Sequence, residues 1–253
     1  MVLLKPAVFT ECGTRPGVDE NSMTDTRADY RIIGGKTVNQ TDFPWFCHII
    51  MKTGDGPIGC GGSLISSFEI LSAAHCVKGQ YSYFTVMQIS CGTYSWYETD
   101  GIFAHPDFSR QTLINDIAII RLSSNVEFNE NIQPICLSSY DEKLSKYRGW
   151  VVGKGQTDPN NVYSMPKNLQ GTMIEYIERT KCRQTWYDLD GVEILDQHVC
   201  AGSEDKGTAK ADSGGPLMTR TKNGSWYLVG VTSFGMNDPD RLVNQHKYPG
   251  KIC

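Results

Sequence analysis

Lys210-Ala211-Asp212-Ser213-Gly214-Gly215-Pro216 sets a serine between an aspartate and two glycines and closes on a proline. Such a composition continues neither a helix nor a strand and belongs in a tight loop. By itself this is a solvated turn. Two further stretches change its meaning. Leu71-Ser72-Ala73-Ala74-His75-Cys76 puts a histidine after an apolar run, and Asn115-Asp116-Ile117-Ala118-Ile119-Ile120 puts an acid at the head of a β-prone run. A hydroxyl nucleophile needs a base to take its proton, and the base needs an acid to hold its tautomer and stabilise its imidazolium. The three groups occur here in the chain order His, Asp, Ser.

The chain has 253 residues, with 24 Lys and Arg against 28 Asp and Glu, for a formal net charge of -4. That length fits one large all-β domain or two small ones. The charge offers no electrostatic footprint for nucleic acid or an anionic membrane surface, and no apolar run approaches the roughly 18 residues of a membrane span. Residues 1–9 are too short, and too interrupted by Lys5 and Pro6, to be a complete signal peptide. Nine cysteines nonetheless argue for an oxidising compartment, and none of them forms a Cys-x-x-Cys pair that would fit a metal template. The sequons Asn39-Gln40-Thr41 and Asn223-Gly224-Ser225 are compatible with the same compartment. The expectation is a secreted protein without metal or cofactor, its signal sequence missing or truncated in the sequence as it stands.

Residues 1–31 are polar and rich in Pro, Gly, Asp and Thr, which cannot supply a core and read as a flexible leader. From Ile32 the texture changes to short β-prone runs, at 46–51, 62–65, 83–90 and 117–122, separated by turn residues. With no long 3.6-period stretch before residue 170, this spacing predicts a barrel or a sandwich.

Ala-Ala-His-Cys, Asn-Asp-Ile-Ala and Asp-Ser-Gly-Gly-Pro, preceded by Arg31-Ile32-Ile33-Gly34-Gly35, stand in the order in which the chymotrypsin-like (trypsin-like) serine proteases, peptidase S1, carry them. The chain resembles that family from Ile32 nearly to its C-terminus. The resemblance implies an all-β fold of two six-stranded antiparallel Greek-key barrels, one over about 32–135 and one over about 136–253, with the active site between them. It makes His75 the general base, Asp116 its orienting acid and Ser213 the nucleophile. Cleavage after Arg31 would free an amino group on Ile32 to pair with Asp212. The backbone amides of Ala211 and Ser213 would form the oxyanion hole. Relatives almost always carry glycine at the Ala211 position, and a Cβ there opposes the backbone orientation that glycine permits.

By the same resemblance, counting back from Ser213 puts Gly207 at the floor of the substrate pocket, with Gly235 and Gly250 as walls and Ser233-Phe234-Gly235 as the strand that pairs with substrate. That pocket suits a neutral side chain. Asp205, two positions away, is the alternative floor. Lys154 and Phe234 stand where relatives usually carry tryptophan.

The family's bridges map onto Cys60 with Cys76, Cys182 with Cys200 and, through the leader, Cys12 with Cys136. Cys47 and Cys91 fall on strands that should be neighbours, and Cys253 is left over. The bridge that braces the pocket beside the nucleophile is missing, since Ala209 stands at one of its ends. The sequence also stops short of the family's C-terminal strand and helix, so a truncated second barrel with an open edge is expected.

The implied function is a secreted serine endopeptidase made as a zymogen, with polypeptide substrates, an activating trypsin-like protease and protease inhibitors as partners. Ala211, the missing bridge and the short end leave open a second reading, a catalytically weak or inactive homologue that acts as a binding or regulatory protein.

Overall fold

The computed structural model describes residues 12–14, 32–92, 95–137, 148–222 and 224–253. Arg31, the rest of the leader and Asn223 lie outside the described residues. The described chain forms β1 (Lys36–Thr37), β2 (Phe46–Thr53), β3 (Gly56–Leu64), β4 (Glu69–Ser72), β5 (Thr85–Cys91), β6 (Ser95–Trp96), β7 (Thr99–Ala104), β8 (Ala118–Leu122), β9 (Cys136–Leu137), β10 (Arg148–Gly153), β11 (Gln170–Ile177), β12 (Val199–Ala201), β13 (Pro216–Arg220), β14 (Trp226–Phe234) and β15 (Gly250–Ile252). Three α-helices, α1 (Ala74–Val77), α2 (Arg179–Asp190) and α3 (Pro239–Leu242), and a 3-10 turn (Gln40–Asp42) join them. No helix among the described residues is long and apolar enough to cross a membrane.

The first sheet runs β6-β5-β2-β3-β4-β8-β7 and curls into an open barrel. Alternation with period two turns Ile49 and Met51 of β2 inward, onto Ile70, Ile89 and Ile120 of neighbouring strands. The second sheet closes: β10, β13, β14, β15 and β12 follow one another, and β11 pairs with both β12 and β10. This is the two-barrel, mostly β architecture expected from the sequence.

The expected open edge is corrected by β15. Gly250, Lys251 and Ile252 pair with Ala201, Cys200 and Val199 of β12, while Ile252 and Lys251 pair on the other side with Thr232 and Phe234 of β14. Cys253 adds two backbone bonds, donating to Val231 O at 2.8 Å and accepting from Val231 N at 2.6 Å. Three residues suffice because β12, the strand they must bridge to, is itself only three residues long.

Aromatic packing joins the two barrels. Phe43 and Trp45, just before β2, pack on Trp226 of β14 at ring-centroid distances of 6.0 Å each, and Phe43 also reaches Trp150 of β10 at 6.0 Å. The Trp45 indole donates to Met218 Sδ at 3.2 Å, so a first-barrel side chain is tied inside the second. Four disulfides, Cys12–Cys136, Cys47–Cys91, Cys60–Cys76 and Cys182–Cys200, use the pairs expected from sequence, and Cys253 is free. At the first of these, Gly13 N donates to Pro134 O and Gly13 O accepts from Trp226 N, both at 2.8 Å. Gly13 has φ +65, and a Cβ there would collide with Trp226 O, so this leader residue must be glycine.

Candidate active site

His75 sits on α1, a single turn held by the buried residues Ala74, Cys76 and Val77 and by the bond from Cys76 to Cys60 of β3. Asp116 closes the loop that leads into β8, where Asn115 takes φ +56. A short polar side chain tolerates that left-handed turn, and Asn115 Nδ2 secures it by donating to Asp107 O at 3.1 Å. The turn leaves Asp116 wholly buried beneath the histidine. One carboxylate oxygen accepts His75 N at 2.8 Å, and the other accepts His75 Nδ1 at 2.7 Å and Ser233 Oγ at 2.6 Å. Burial pushes the Asp116 pKa up, but the hydrogen bonds from His75 and Ser233 outweigh it and hold the carboxylate below its usual range. With Nδ1–H engaged, the other ring nitrogen is the one free to accept a proton.

Ser213 comes from the second barrel, on the loop ahead of β13. Gly61 N of β3 donates to Ser213 O at 2.7 Å, and Gly214 N donates to Thr232 O at 2.8 Å, pinning the loop between the barrels. Gly214, at φ +79, lies so close to barrel one that a Cβ would collide with Ser72 Oγ and Gly61 O. Among the described residues, neither Ala211 N–H nor Ser213 N–H donates to another protein group. Ala211 keeps its amide free at φ +71, a conformation that costs a residue with a Cβ about 1–2 kcal/mol. His75, Ala211 and Ser213 line one cleft of about 330 Å³.

Asp212 points the opposite way, into the barrel. Its carboxylate accepts Gly155 N and Ala209 N, both at 2.9 Å. Burial nevertheless dominates these two bonds and pushes its pKa up to about 7. Ile32 is fully buried, and the adjoining Ile33 O accepts Gly207 N at 3.0 Å, so the segment 32–35 already packs on the pocket loop. Lys154 is half-buried and, after burial itself, helps to push the neighbouring His48 down to about 4.

The pocket residues divide. Phe234 and Gly235 line the cleft, as does Ser233, whose hydroxyl is committed to Asp116. Gly207 and Gly250 do not line it. A Cβ on Gly207 would fall on Gln245 Oε1, and a Cβ on Gly250 would stand 3.4 Å from Thr208 Oγ1. Thr208 is therefore the residue presented to the cleft, with the Gln245 carboxamide behind it, donating to Thr208 O at 2.8 Å. Asp205 is exposed, with φ +55, and takes no part. In place of the missing bridge beside Ala209, the wall carries Met236, which packs in one cluster with Trp186 and Phe234. Leu113, from the loop before Asp116, also lines the cleft; its role and those of Thr208 and Gln245 had no signal in the sequence, because each arrives on a loop whose path depends on the barrels.

An imidazole oriented by a buried carboxylate can take the proton of a serine in the same cleft, which is the chemistry of serine hydrolases. Comparison with known proteins narrows the class: residues 32–248 match the Trypsin family, and the chain belongs to it. It is similar to Trypsin alpha of Drosophila erecta, 32% identical over 217 residues that cover 82% of this chain and 78% of that protein. Serine protease 41 of Homo sapiens is 34% identical over 223 residues, covering 81% of this chain and 69% of that protein. Proclotting enzyme of Tachypleus tridentatus is 32% identical over 227 residues, covering 81% of this chain and 59% of that protein. Membership implies peptide substrates and hydrolysis by a serine endopeptidase.

Proposed function

We propose that this chain is a secreted serine endopeptidase made as a zymogen, with a leader of residues 1–31 and a protease domain of residues 32–253. Ser213 Oγ attacks the scissile carbonyl as His75 accepts its proton. Asp116 holds the Nδ1–H and stabilises the imidazolium. The carbonyl oxygen, now negative, takes hydrogen bonds from the amides of Ala211 and Ser213. His75 returns the proton to the leaving amine, and water then releases the acyl group from Ser213 by the same steps in reverse. The observation that carries this reading is the bonded pair of His75 and Asp116 sharing a cleft with Ser213 and two unengaged amides.

Activation would follow cleavage after Arg31 by a trypsin-like protease. A buried carboxyl as hard to ionise as that of Asp212 calls for a cation, and the new amino group of Ile32 is of the right sign. The leader would stay attached through Cys12–Cys136. Four disulfides support secretion, and protease inhibitors would compete with substrate for the cleft. The intact pair and the free amides favour the endopeptidase over the binding-protein reading.

The test is covalent labelling of Ser213 by a fluorophosphonate after cleavage, with N-terminal sequencing to confirm Ile32 as the new first residue. Labelling should be slow in the natural chain and faster in Ala211→Gly, because glycine removes the strain at φ +71. One poorly placed oxyanion donor costs roughly a hundred- to thousand-fold in rate. Ser213→Ala should not label. A folded, cleaved Ala211→Gly chain that stays unlabelled would overturn the enzyme reading.

A further inference from the structure

The charges around the cleft all have one sign. Arg110 from the first barrel and Lys210 from the second line it together with His75, and among the lining residues there is no aspartate or glutamate. Arg110 is fixed in place, donating to Lys78 O at 2.8 Å and to His75 O at 3.3 Å, with its guanidinium 5.8 Å from the Phe84 ring centroid. These partners are neutral, so its charge is not cancelled. Lys210 is exposed, and its side chain meets no carboxylate among the described residues. Beneath the wall, Lys251 has no solvent exposure, donates to Leu113 O at 2.6 Å and sits 4.9 Å from the Phe234 ring centroid; burial pushes its pKa down, and its charge is set against that of Asp116, so the positive charge facing the cleft is that of Arg110 and Lys210.

The carboxylates of the region face elsewhere. Asp116 is ionised but buried beneath His75, where the charge of Lys251 offsets it, and Asp212 is buried with its oxygens on Gly155 and Ala209. At the rim, Asp238 is paired with Arg241 at 3.2 Å. A positive cleft on a chain whose net charge is -4 is a local arrangement against the overall sign. Clefts lined by one sign of charge focus the field and concentrate ligands of the opposite sign.

We infer that this cleft selects polypeptide segments with acidic side chains on either side of the bond it binds, their carboxylates meeting Arg110 and Lys210. The inference rests on the endopeptidase reading and names the substrate class for it. Thr208, Leu113 and Phe234 keep the centre of the cleft uncharged, so the residue at the scissile bond itself is neutral and the acids flank it.

Binding can be measured without catalysis on the full chain carrying Ser213→Ala, cleaved after Arg31 with the leader still attached. Short fluorescent peptides with one neutral centre, flanked by Glu, Gln or Lys, are titrated by anisotropy. The Glu peptide should bind roughly tenfold more tightly than the Gln peptide at low ionic strength, and the Lys peptide more weakly than either. The preference should fade by 1 M salt, where the Debye length is about 3 Å. Lys210→Glu, at a side chain with no structural partner, should reduce or reverse the order, and Arg110→Glu should do the same. Equal affinities, absence of binding by any of the peptides, or an order unchanged by Lys210→Glu would overturn the inference. Failure of the endopeptidase reading appears separately, as absence of fluorophosphonate labelling in the cleaved natural chain.

Discussion

In the uncleaved chain, Asp212 should make stability fall as pH rises. The folded-state pKa is pushed up to about 7, against about 3.9 for an aspartate in an unfolded chain. The native state therefore binds the extra proton between these values, and the free energy of unfolding decreases with pH across that window. Three units correspond to about 4 kcal/mol at most, lost progressively from near pH 4 and fully lost above pH 7. Asp116 titrates the other way, since its folded pKa is depressed, and its window lies at lower pH. Asp212→Asn removes the titration. It also turns an amide toward one of the two backbone donors, Gly155 N or Ala209 N, which costs about 1–3 kcal/mol at every pH. The difference in slope rather than the absolute stability is thus the readout, because His48 and His198, both pushed down to about 4 by burial, add stability as pH rises through the same window in either chain: by urea unfolding at pH 5 and pH 8, disulfides intact, the natural chain should lose more, or gain less, than Asp212→Asn. After cleavage at Arg31, a paired Ile32 amine should hold the carboxylate ionised and abolish or reverse that difference. Equal slopes in the natural chain and the variant would refute the reasoning.

Ser233→Ala removes a 2.6 Å hydrogen bond to the Asp116 carboxylate and should cost about 1.5–3 kcal/mol at neutral pH. Asp116 contributes stability above its unfolded pKa that is lost as pH falls through its folded one, so acid unfolding should begin at higher pH in this variant; an unchanged acid midpoint would count against the Asp116 account. Opening the Cys60–Cys76 bridge with a double alanine substitution should lower stability by about 3 kcal/mol and slow labelling of Ser213, because the bridge anchors the turn that carries His75. Burial pushes the Cys253 thiol up, so alkylation near neutral pH should run more slowly than for an exposed cysteine; a rate matching that of free cysteine would contradict it.

The short motifs around His75, Asp116 and Ser213 were legible because each needs a local composition: a glycine where backbones meet, a polar residue where φ is positive, an apolar run to bury what surrounds an acid. The cysteine pairs were legible through the family resemblance, with Cys47 and Cys91 placed by strands that should be neighbours, because sequence alone does not fix a connectivity. The pocket was not, because counting along the chain places Gly207 but says nothing of Gln245, which occupies the space beside it from a loop beyond β14. Nor could the sequence tell that a three-residue strand, β15, closes a barrel, because closure depends on the length and position of β12, a partner about fifty residues earlier. The sign of the cleft is the plainest case. Net charge is a sum over the chain, whereas Arg110 and Lys210 come to one cleft only when the two barrels dock and turn Asp116 and Asp212 inward. Local chemistry can be read from order, but which charges face the substrate is decided by packing.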